Sequence, residues 1–121
     1  MKIVNLKYNE FEQFVRNHPL RNYYQSVAYG TLMSNFGFKP LYIGFVHEGK
    51  LVGASLILHV PIFMGFKYGY APHGILLNYN DYQLIPDAVK KLKSYLFRQS
   101  FLILKIDPLI IKSTRNKDGN I

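Results

Sequence analysis

The sequence predicts an α+β domain, in which a mixed β-sheet is covered by helices. The first observation behind this prediction is a change in the spacing of apolar residues, from helical before Pro40 to alternating after it. The second is a basic amphipathic segment, residues 80–99, which separates two strand-like segments. The sheet should therefore contain a hairpin, a third strand, and a helix that crosses to a parallel strand.

The N-terminal third predicts an edge strand and two short helices. Asn9 and Glu12 have the spacing of a helix cap and its reciprocal partner, so the first helix is expected to begin there. It should end near His18, because a following proline disfavours helical geometry. Ser26 is the expected cap of the second helix, and Gly37 lies where a terminal glycine is common. The expected apolar face of this second helix consists of Val27, Ala28, Leu32, Met33 and Phe36.

The alternating pattern after Pro40 predicts a β-hairpin with its turn at residues 47–50. The second arm, residues 51–60, is a nearly continuous apolar run, which indicates a strand covered on both faces. Residues 66–71 predict a third strand, and residues 101–106 predict a buried final strand. One buried face of the second arm is expected to consist of Val52, Ala54, Leu56 and Leu58.

The longest predicted helix lies between Asn80 and Gln99, with Asp81 as its cap and Pro86 in its first turn. The element order is therefore β-α-α-β-β-β-α-β, without an internal repeat. This order resembles the first five strands of the GNAT-like (acyl-CoA N-acyltransferase-like) fold. The resemblance implies one domain over residues 1–121 that is only part of such a fold, with residues 109–121 as a frayed tail.

Composition limits the chemistry that the chain can perform. The sequence contains no cysteine, which excludes disulfides, thiolate nucleophiles and cysteine metal sites. The histidines are too scattered for a metal motif, so we expect neither a metal nor a cofactor. The four histidines are His18, His47, His59 and His73.

The chain is strongly basic, with 15 Lys and Arg against 7 Asp and Glu and a formal net charge of +8. This charge favours an anionic partner such as RNA, a nucleotide or a lipid surface. A solvated helix face explains part of the excess equally well, because four cations fall in the longest predicted helix. They are Lys90, Lys91, Lys93 and Arg98.

No segment has the pattern of a signal peptide or a membrane span. The longest apolar stretch, residues 51–64, contains Ser55, His59 and Pro61. It is also shorter than the roughly 18 to 20 residues that a transmembrane helix needs. We therefore expect a cytoplasmic protein without a transmembrane segment, and the inner face of the membrane is the alternative position.

Four motifs, spread over about residues 20–108, resemble the Fem family of peptidoglycan bridge-forming aminoacyltransferases. In that family a Gln-Ser or Gln-Thr pair typically opens a helix that carries an aromatic-Gly pair. Each motif alone is weak evidence, but their order along the chain is specific. They are Gln25-Ser26-Val27-Ala28-Tyr29-Gly30 with Phe36-Gly37-Phe38-Lys39-Pro40, Gly49-Lys50-Leu51-Val52-Gly53-Ala54, Tyr70-Ala71-Pro72-His73-Gly74, and Lys105-Ile106-Asp107-Pro108.

The resemblance implies transfer of an amino acid from aminoacyl-tRNA to the peptide of a peptidoglycan precursor, either lipid II or a UDP-linked muropeptide. Members of the family contain two GNAT-like domains. The resemblance therefore also implies that a second GNAT-like domain, or a partner chain, completes the enzyme. The 121 residues can hold at most the first of the two domains.

Substrate-binding roles are implied at five positions. Thr31 and Ser34 stand in the second helix, where family members often carry a lysine that pairs with precursor phosphates, but no cation is present here. Tyr70 and His73 belong to the third motif, and His73 holds the place of a basic residue before glycine. Lys105 opens the last motif. No catalytic residue is identified.

Alternatives remain open for two of these motifs. His73 could bring its side chain to a cleft, or it could be a simple turn residue. Asp107 could be a site carboxylate, although an aspartate before proline more commonly starts a turn. The 10 tyrosines could stack on nucleic-acid bases, but most are expected to be half-buried on the sheet.

Two other functions compete with the aminoacyltransferase. One is a non-catalytic GNAT-like module that binds an anionic partner or another chain. The other is an acetyl-CoA acetyltransferase, which is disfavoured because residues 74–81 contain one glycine instead of a glycine-rich phosphate cradle. A second GNAT-like domain encoded after Ile121 would favour the transferase, and a stop codon there would favour the binding module.

Overall fold

Eight secondary-structure elements make up residues 1–107, the part of the chain that the computed structural model describes. Their order is the predicted β-α-α-β-β-β-α-β. The expected tail at residues 109–121 lies outside the described residues. The strands are β1 (Lys2–Asn5), β2 (Lys39–His47), β3 (Lys50–Pro61), β4 (Lys67–Pro72) and β5 (Phe101–Asp107), and the helices are α1 (Tyr8–Arg16), α2 (Val27–Ser34) and α3 (Leu84–Arg98).

The five strands form one mixed sheet in the order β1-β2-β3-β4-β5. Neighbouring strands are antiparallel from β1 to β4, and β4 pairs with β5 in parallel. Helix α3 makes the crossover between β4 and β5, as parallel neighbours require. This topology confirms the predicted hairpin, third strand and parallel crossover of an α+β sheet.

Helices cover both faces of the sheet, which we call the α1–α2 face and the α3 face. Each face buries its own apolar cluster, because the strands alternate their side chains between the two. The buried cluster of the α1–α2 face consists of Phe11, Val15, Tyr42, Ala54, Leu56, Leu58 and Leu76. The buried cluster of the α3 face consists of Ile43, Phe45, Ile57, Ala71, Ile75, Leu77, Ala88, Leu92, Tyr95, Leu96 and Phe101.

The β2–β3 turn confirms the predicted hairpin and adds a bulge. Glu48 and Gly49 both have positive φ, 52° and 78°, as a two-residue type I′ turn requires. The register then shifts, so that Val52 has no partner on β2. Its side chain therefore packs on the α3 face. The prediction that Val52 shares a face with Leu56 is wrong, because one extra residue reverses the alternation.

Helix α1 begins before the predicted cap. Lys7 occupies the cap position, and its backbone N–H donates to Glu10 Oε1 at 2.8 Å. The Asn9–Glu12 pairing is therefore wrong. Glu12 Oε1 instead accepts from the backbone N–H of Val27 at 3.3 Å, which links α1 to the start of α2.

Helix α2 has the predicted cap but not the predicted apolar face. Ser26 Oγ accepts from the Tyr29 N–H at 3.0 Å. The helix turns Gly30 toward the sheet, where a Cβ would overlap the hydroxyl of Tyr42. Apolar spacing could not reveal this close approach, because glycine has no side chain to count. Three residues of the expected face are consequently exposed, namely Ala28, Leu32 and Phe36.

Helix α3 begins later than predicted, because Gln83 and not Asp81 occupies the cap position. Asp81 Oδ1 still accepts from the Leu84 N–H at 3.2 Å, and so stabilises the turn before the helix. The expectation of a buried β5 is wrong. Leu102 and Ile103 are half exposed, because β4 is the only neighbour of β5 within residues 1–107. None of the three helices is long and apolar enough to cross a membrane.

Stability should decrease as the pH falls below about neutral, partly through His59. The ring of His59 lies 5.6 Å from that of Phe101, and burial, followed by Lys67 and Lys39, lowers its pKa from 6.5. The unfolded chain then binds the proton more readily, so the contribution is complete above about 6.5 and is lost as the pH drops through the lowered pKa.

Urea unfolding of the wild type and of His59→Gln at several pH values between about 5 and 8 measures this effect. The variant should show a flatter dependence of unfolding free energy on pH. Some dependence should remain, because burial also lowers the pKa of His18. Equal slopes for the two proteins would contradict the role of His59.

Candidate substrate-binding site at the carboxyl ends of β4 and β5

A single buried side chain fills the gap where β3 and β4 separate. The two strands pair only from Leu58 to Pro61 on β3. Beyond that point Gln25 Nε2 donates to the carbonyls of Leu56 and Pro72, at 3.3 and 2.9 Å, and its Oε1 accepts from the Leu56 N–H at 2.7 Å. Gln25 is fully buried. Its amide thus replaces the missing backbone ladder between the strands.

The chain reverses direction just after this gap. His73 has a φ of +50°, and its carbonyl accepts from Asn22 Nδ2 at 3.1 Å. A Cβ on Gly74 would lie 2.6 Å from Gln25 Cδ, so only glycine fits there. Two hydrogen bonds between Leu76 and Ala54 then return the chain to β3. The sequence motif around His73 is therefore the turn that Gln25 and Asn22 hold in place.

An aromatic cluster surrounds this turn and consists of Tyr23, Tyr24, Tyr29 and His73. The ring of Tyr24 lies 4.6 Å from that of His73 and 5.1 Å from that of Tyr29. Burial, with Tyr24 and Tyr23 nearby, raises the pKa of Tyr29. Its phenol stays neutral near pH 7 and can donate a hydrogen bond. Since Tyr23 and Tyr24 are exposed, the cluster offers open ring faces to a ligand.

The expectation that most tyrosines lie on the sheet is wrong. Three of the ten belong to strands, namely Tyr42, Tyr68 and Tyr70. The others lie on helices or loops.

A cation–aromatic pair lies on the two strands whose carboxyl ends lead to this end of the sheet. Tyr70 and Lys105 are register partners on β4 and β5, and Lys105 Nζ lies 5.7 Å from the centre of the Tyr70 ring. Tyr70 is also opposite Leu58, so both side chains belong to the α1–α2 face. The exposed ammonium of Lys105 is therefore on the side of the sheet that carries α2, and its register partner Tyr70 lies three residues before His73 along β4.

The structure does not bring Thr31 and Ser34 into this group. Both are exposed on α2, and Ser34 Oγ donates to the Thr31 carbonyl at 2.6 Å. Thr31 follows Tyr29 by two positions, which places the two side chains about 200° apart around the helix axis. Because Tyr29 is the residue of α2 that belongs to the aromatic cluster, Thr31 points away from the cluster. Substrate binding by these two residues stays a prediction.

Sequence reasoning missed the residues that hold the site together. Gln25 opens the first of the four family motifs, but nothing in the sequence shows that its amide is buried between two strands. Asn22 and Tyr24 carried no signal of their own. Only their proximity in sequence to Gln25 could have drawn attention to them.

The segment after β4 is not arranged as a phosphate cradle. Residues 74–77 are buried, and the Leu76 N–H is already bonded to the Ala54 carbonyl at 2.9 Å. Backbone donors used in this way cannot bind a pyrophosphate. Within residues 1–107, no three His, Asp or Glu side chains come together as a metal site. The expectation that the protein uses neither acetyl-CoA nor a metal stays a prediction.

Comparison with known proteins places this chain in a family. A model described as the FemAB family matches residues 6–121. Aminoacyltransferase FemA of Staphylococcus aureus is 29% identical over 122 residues, covering 100% of this chain and 29% of FemA. The chain therefore spans less than a third of the length of this relative.

Two solved structures share the fold. The crystal structure of FemX matches with a TM-score of 0.73 and 18% identity, over 89% of this chain and 27% of that chain. A ribosomal-protein-alanine N-acetyltransferase from Brucella melitensis biovar Abortus 2308 matches with a TM-score of 0.54 and 16% identity, over 93% and 85%. These likenesses confirm the GNAT-like fold. Because the family match covers nearly the whole chain, the protein belongs to the FemAB family.

Proposed function

We propose that this chain is the first GNAT-like domain of a cytoplasmic aminoacyltransferase that works on peptidoglycan precursors. In this proposal the donor is aminoacyl-tRNA, and the acceptor is the peptide of lipid II or of a UDP-linked muropeptide. The observation that carries it is the presence of two contacting pairs, Lys105 with Tyr70 and Tyr24 with His73, within three residues of each other along the end of β4. Membership of the FemAB family, and a relative named as an aminoacyltransferase, support it.

The position of the group fits a binding site. In open α/β sheets, ligands bind beyond the carboxyl ends of parallel strands. Strands β4 and β5 are the parallel pair, and the His73 turn follows directly after β4. Both acceptors carry a diphosphate, which an exposed ammonium such as that of Lys105 attracts. The open ring of Tyr24 suits stacking against a base or a sugar.

The proposal assigns these residues to substrate binding and not to the complete reaction. Transfer to an amine also needs a second protein surface, which excludes water and fixes the geometry of the acceptor. A second GNAT-like domain or a partner chain would supply it. Within residues 1–107, β5 pairs with β4 alone, so its other edge offers a place for such a domain to pack. Ile103 is half exposed there and lies on the same face as Lys105, because its partner Tyr68 is two residues before Tyr70.

Calorimetric titration of the chain with a UDP-linked muropeptide tests the site. We expect weak binding that becomes weaker as salt is raised, because the charges are exposed. Lys105→Ala should weaken it about fivefold, as the loss of one charge-assisted contact predicts. Lys93→Ala is the matched control, since Lys93 is an exposed lysine on α3, which covers the other face of the sheet.

An equal loss in the two lysine variants would show that the ligand responds only to net charge. The proposed site would then be wrong, and the non-catalytic anion-binding module would be favoured. Tyr24→Ala provides an uncharged second variant. It should also weaken binding, because it removes the ring that contacts His73.

A further inference from the structure

The end of the sheet opposite the candidate site carries a hydrogen-bonded apolar turn. Residues 62–66 join β3 to β4, and the Phe66 N–H donates to the Phe63 carbonyl at 2.9 Å. Met64 and Gly65 have φ of +53° and +82°, as in a two-residue type I′ turn. Four large apolar side chains are exposed on this turn, which we call the apolar tip: Ile62, Phe63, Met64 and Phe66.

Further exposed aromatic rings lie at the same end of the molecule. The Lys67 N–H donates to the Ser100 carbonyl at 2.9 Å, so the end of α3 lies beside the start of β4. Phe97, in the last turn of α3, is 83% exposed. Phe36 is 70% exposed and precedes β2, which pairs through Lys39 with the last part of β3. Exposed apolar groups of this number at one end of a domain indicate a binding surface.

Positively charged residues are found at this same end of the domain. Lys39, Lys67 and Arg98 stand at the end of the sheet that carries the apolar tip. The acidic residues within residues 1–107 belong to other regions: α1, the β2–β3 turn, the start of α3 and the end of β5. They are Glu10, Glu12, Glu48, Asp81, Asp87 and Asp107.

We propose that this end of the domain docks on an anionic lipid bilayer and inserts the apolar tip among the headgroups. Apolar side chains at the same end as Lys39, Lys67 and Arg98, with none of the acidic residues of positions 1–107 there, match the two components of an anionic membrane surface. A protein partner fits less well. A stable protein interface needs about 800 Å² on each side, and a connection of five residues offers only a small area.

The proposed docking does not depend on the proposed enzymatic function. It would, however, fix the position of the candidate site relative to the membrane. Strand β4 has six residues, so at about 3.3 Å per residue the His73 turn lies roughly 20 Å from the apolar tip. Docking through the tip would hold the candidate site above the membrane. A precursor anchored in the same bilayer would be presented to it from the membrane side.

The full chain allows a direct optical test, because it contains no tryptophan. Phe63→Trp places a single reporter on the apolar tip. Its emission should shift to shorter wavelength with vesicles of phosphatidylcholine containing about 30% phosphatidylglycerol. Vesicles of phosphatidylcholine alone should shift it less, because the cations then contribute nothing. Tyr82→Trp is the control, since Tyr82 is 81% exposed near the start of α3, at the opposite end, and should not respond.

Vesicle sedimentation supplies a second measurement. Met64→Asn removes an exposed apolar side chain and keeps a residue that tolerates positive φ, so the turn is retained. Partitioning onto the anionic vesicles should fall about tenfold or more. Tyr82→Asn should leave it unchanged.

Three results would overturn the proposal. One is a tip reporter that ignores every vesicle. Another is equal loss of partitioning in the Met64 and Tyr82 variants. The third is short-wavelength emission from Trp at position 63 before vesicles are added, because the tip would then be covered by protein, either another part of the chain or a second copy.

Discussion

Gln25→Leu is expected to destabilise the domain by about 3 to 6 kcal/mol. The leucine has a similar size, so it leaves little cavity, but it cannot bond to the backbone groups of Leu56 and Pro72. Three hydrogen bonds to buried backbone groups are lost, and each group left without a partner costs about 1 to 3 kcal/mol. The Leu56 carbonyl still accepts from Ser55 Oγ at 3.1 Å, so the Leu56 N–H and the Pro72 carbonyl are the groups most affected. This is a large part of the total stability of an ordinary domain, about 5 to 15 kcal/mol.

Urea unfolding with an unchanged m-value measures the loss. Gln13→Leu is the matched control, because Gln13 is exposed on α1 and the same substitution there should change stability by less than about 0.5 kcal/mol. A Gln25→Leu loss below about 1 kcal/mol would mean that water or a local shift satisfies the gap, contrary to the interpretation of Gln25 as part of the sheet.

The second large effect concerns activity. The 121-residue chain alone should transfer amino acids at least about 10⁵ times more slowly than a full-length Fem aminoacyltransferase. Positioning the two reactants contributes roughly 7 to 11 kcal/mol to lowering such a barrier. The described residues form only one side of the proposed site, so this contribution should be largely lost. Weak binding of the muropeptide should nevertheless remain, since it depends mostly on charge.

The assay incubates the purified chain with charged tRNA and either lipid II or a UDP-linked muropeptide, and follows transfer of a label. A full-length family member in the same reaction is the positive control. Multiple turnovers by the chain alone would show that the site is complete within these residues. Substitutions at Thr31, His73 and Lys105 would then identify which of the implied positions contribute.

Several features of the fold could be predicted because they depend on neighbouring residues. The period of apolar residues identified each strand and helix, and glycine at position 49 predicted the β2–β3 turn. Ser26 could be recognised as a cap because its partner is only three residues away. The family motifs were also visible, and they correctly indicated the GNAT-like fold.

Other features were decided by contacts between distant parts of the chain. Gln25 meets Leu56 and Pro72 across 31 and 47 positions, and no local pattern records such a meeting. The bulge at Val52 reverses which face its side chain takes, since one added residue changes the alternation.

By itself, the sequence determined the element order, the hairpin and the family, because local spacing and short motifs contain that information. Only the tertiary structure decided that Tyr24 meets His73, that Lys105 meets Tyr70, and that β5 has β4 as its one neighbour within residues 1–107. The physical reason is that strand pairing and helix packing bring these residues together. Such contacts are properties of the assembled sheet, not of any segment taken alone.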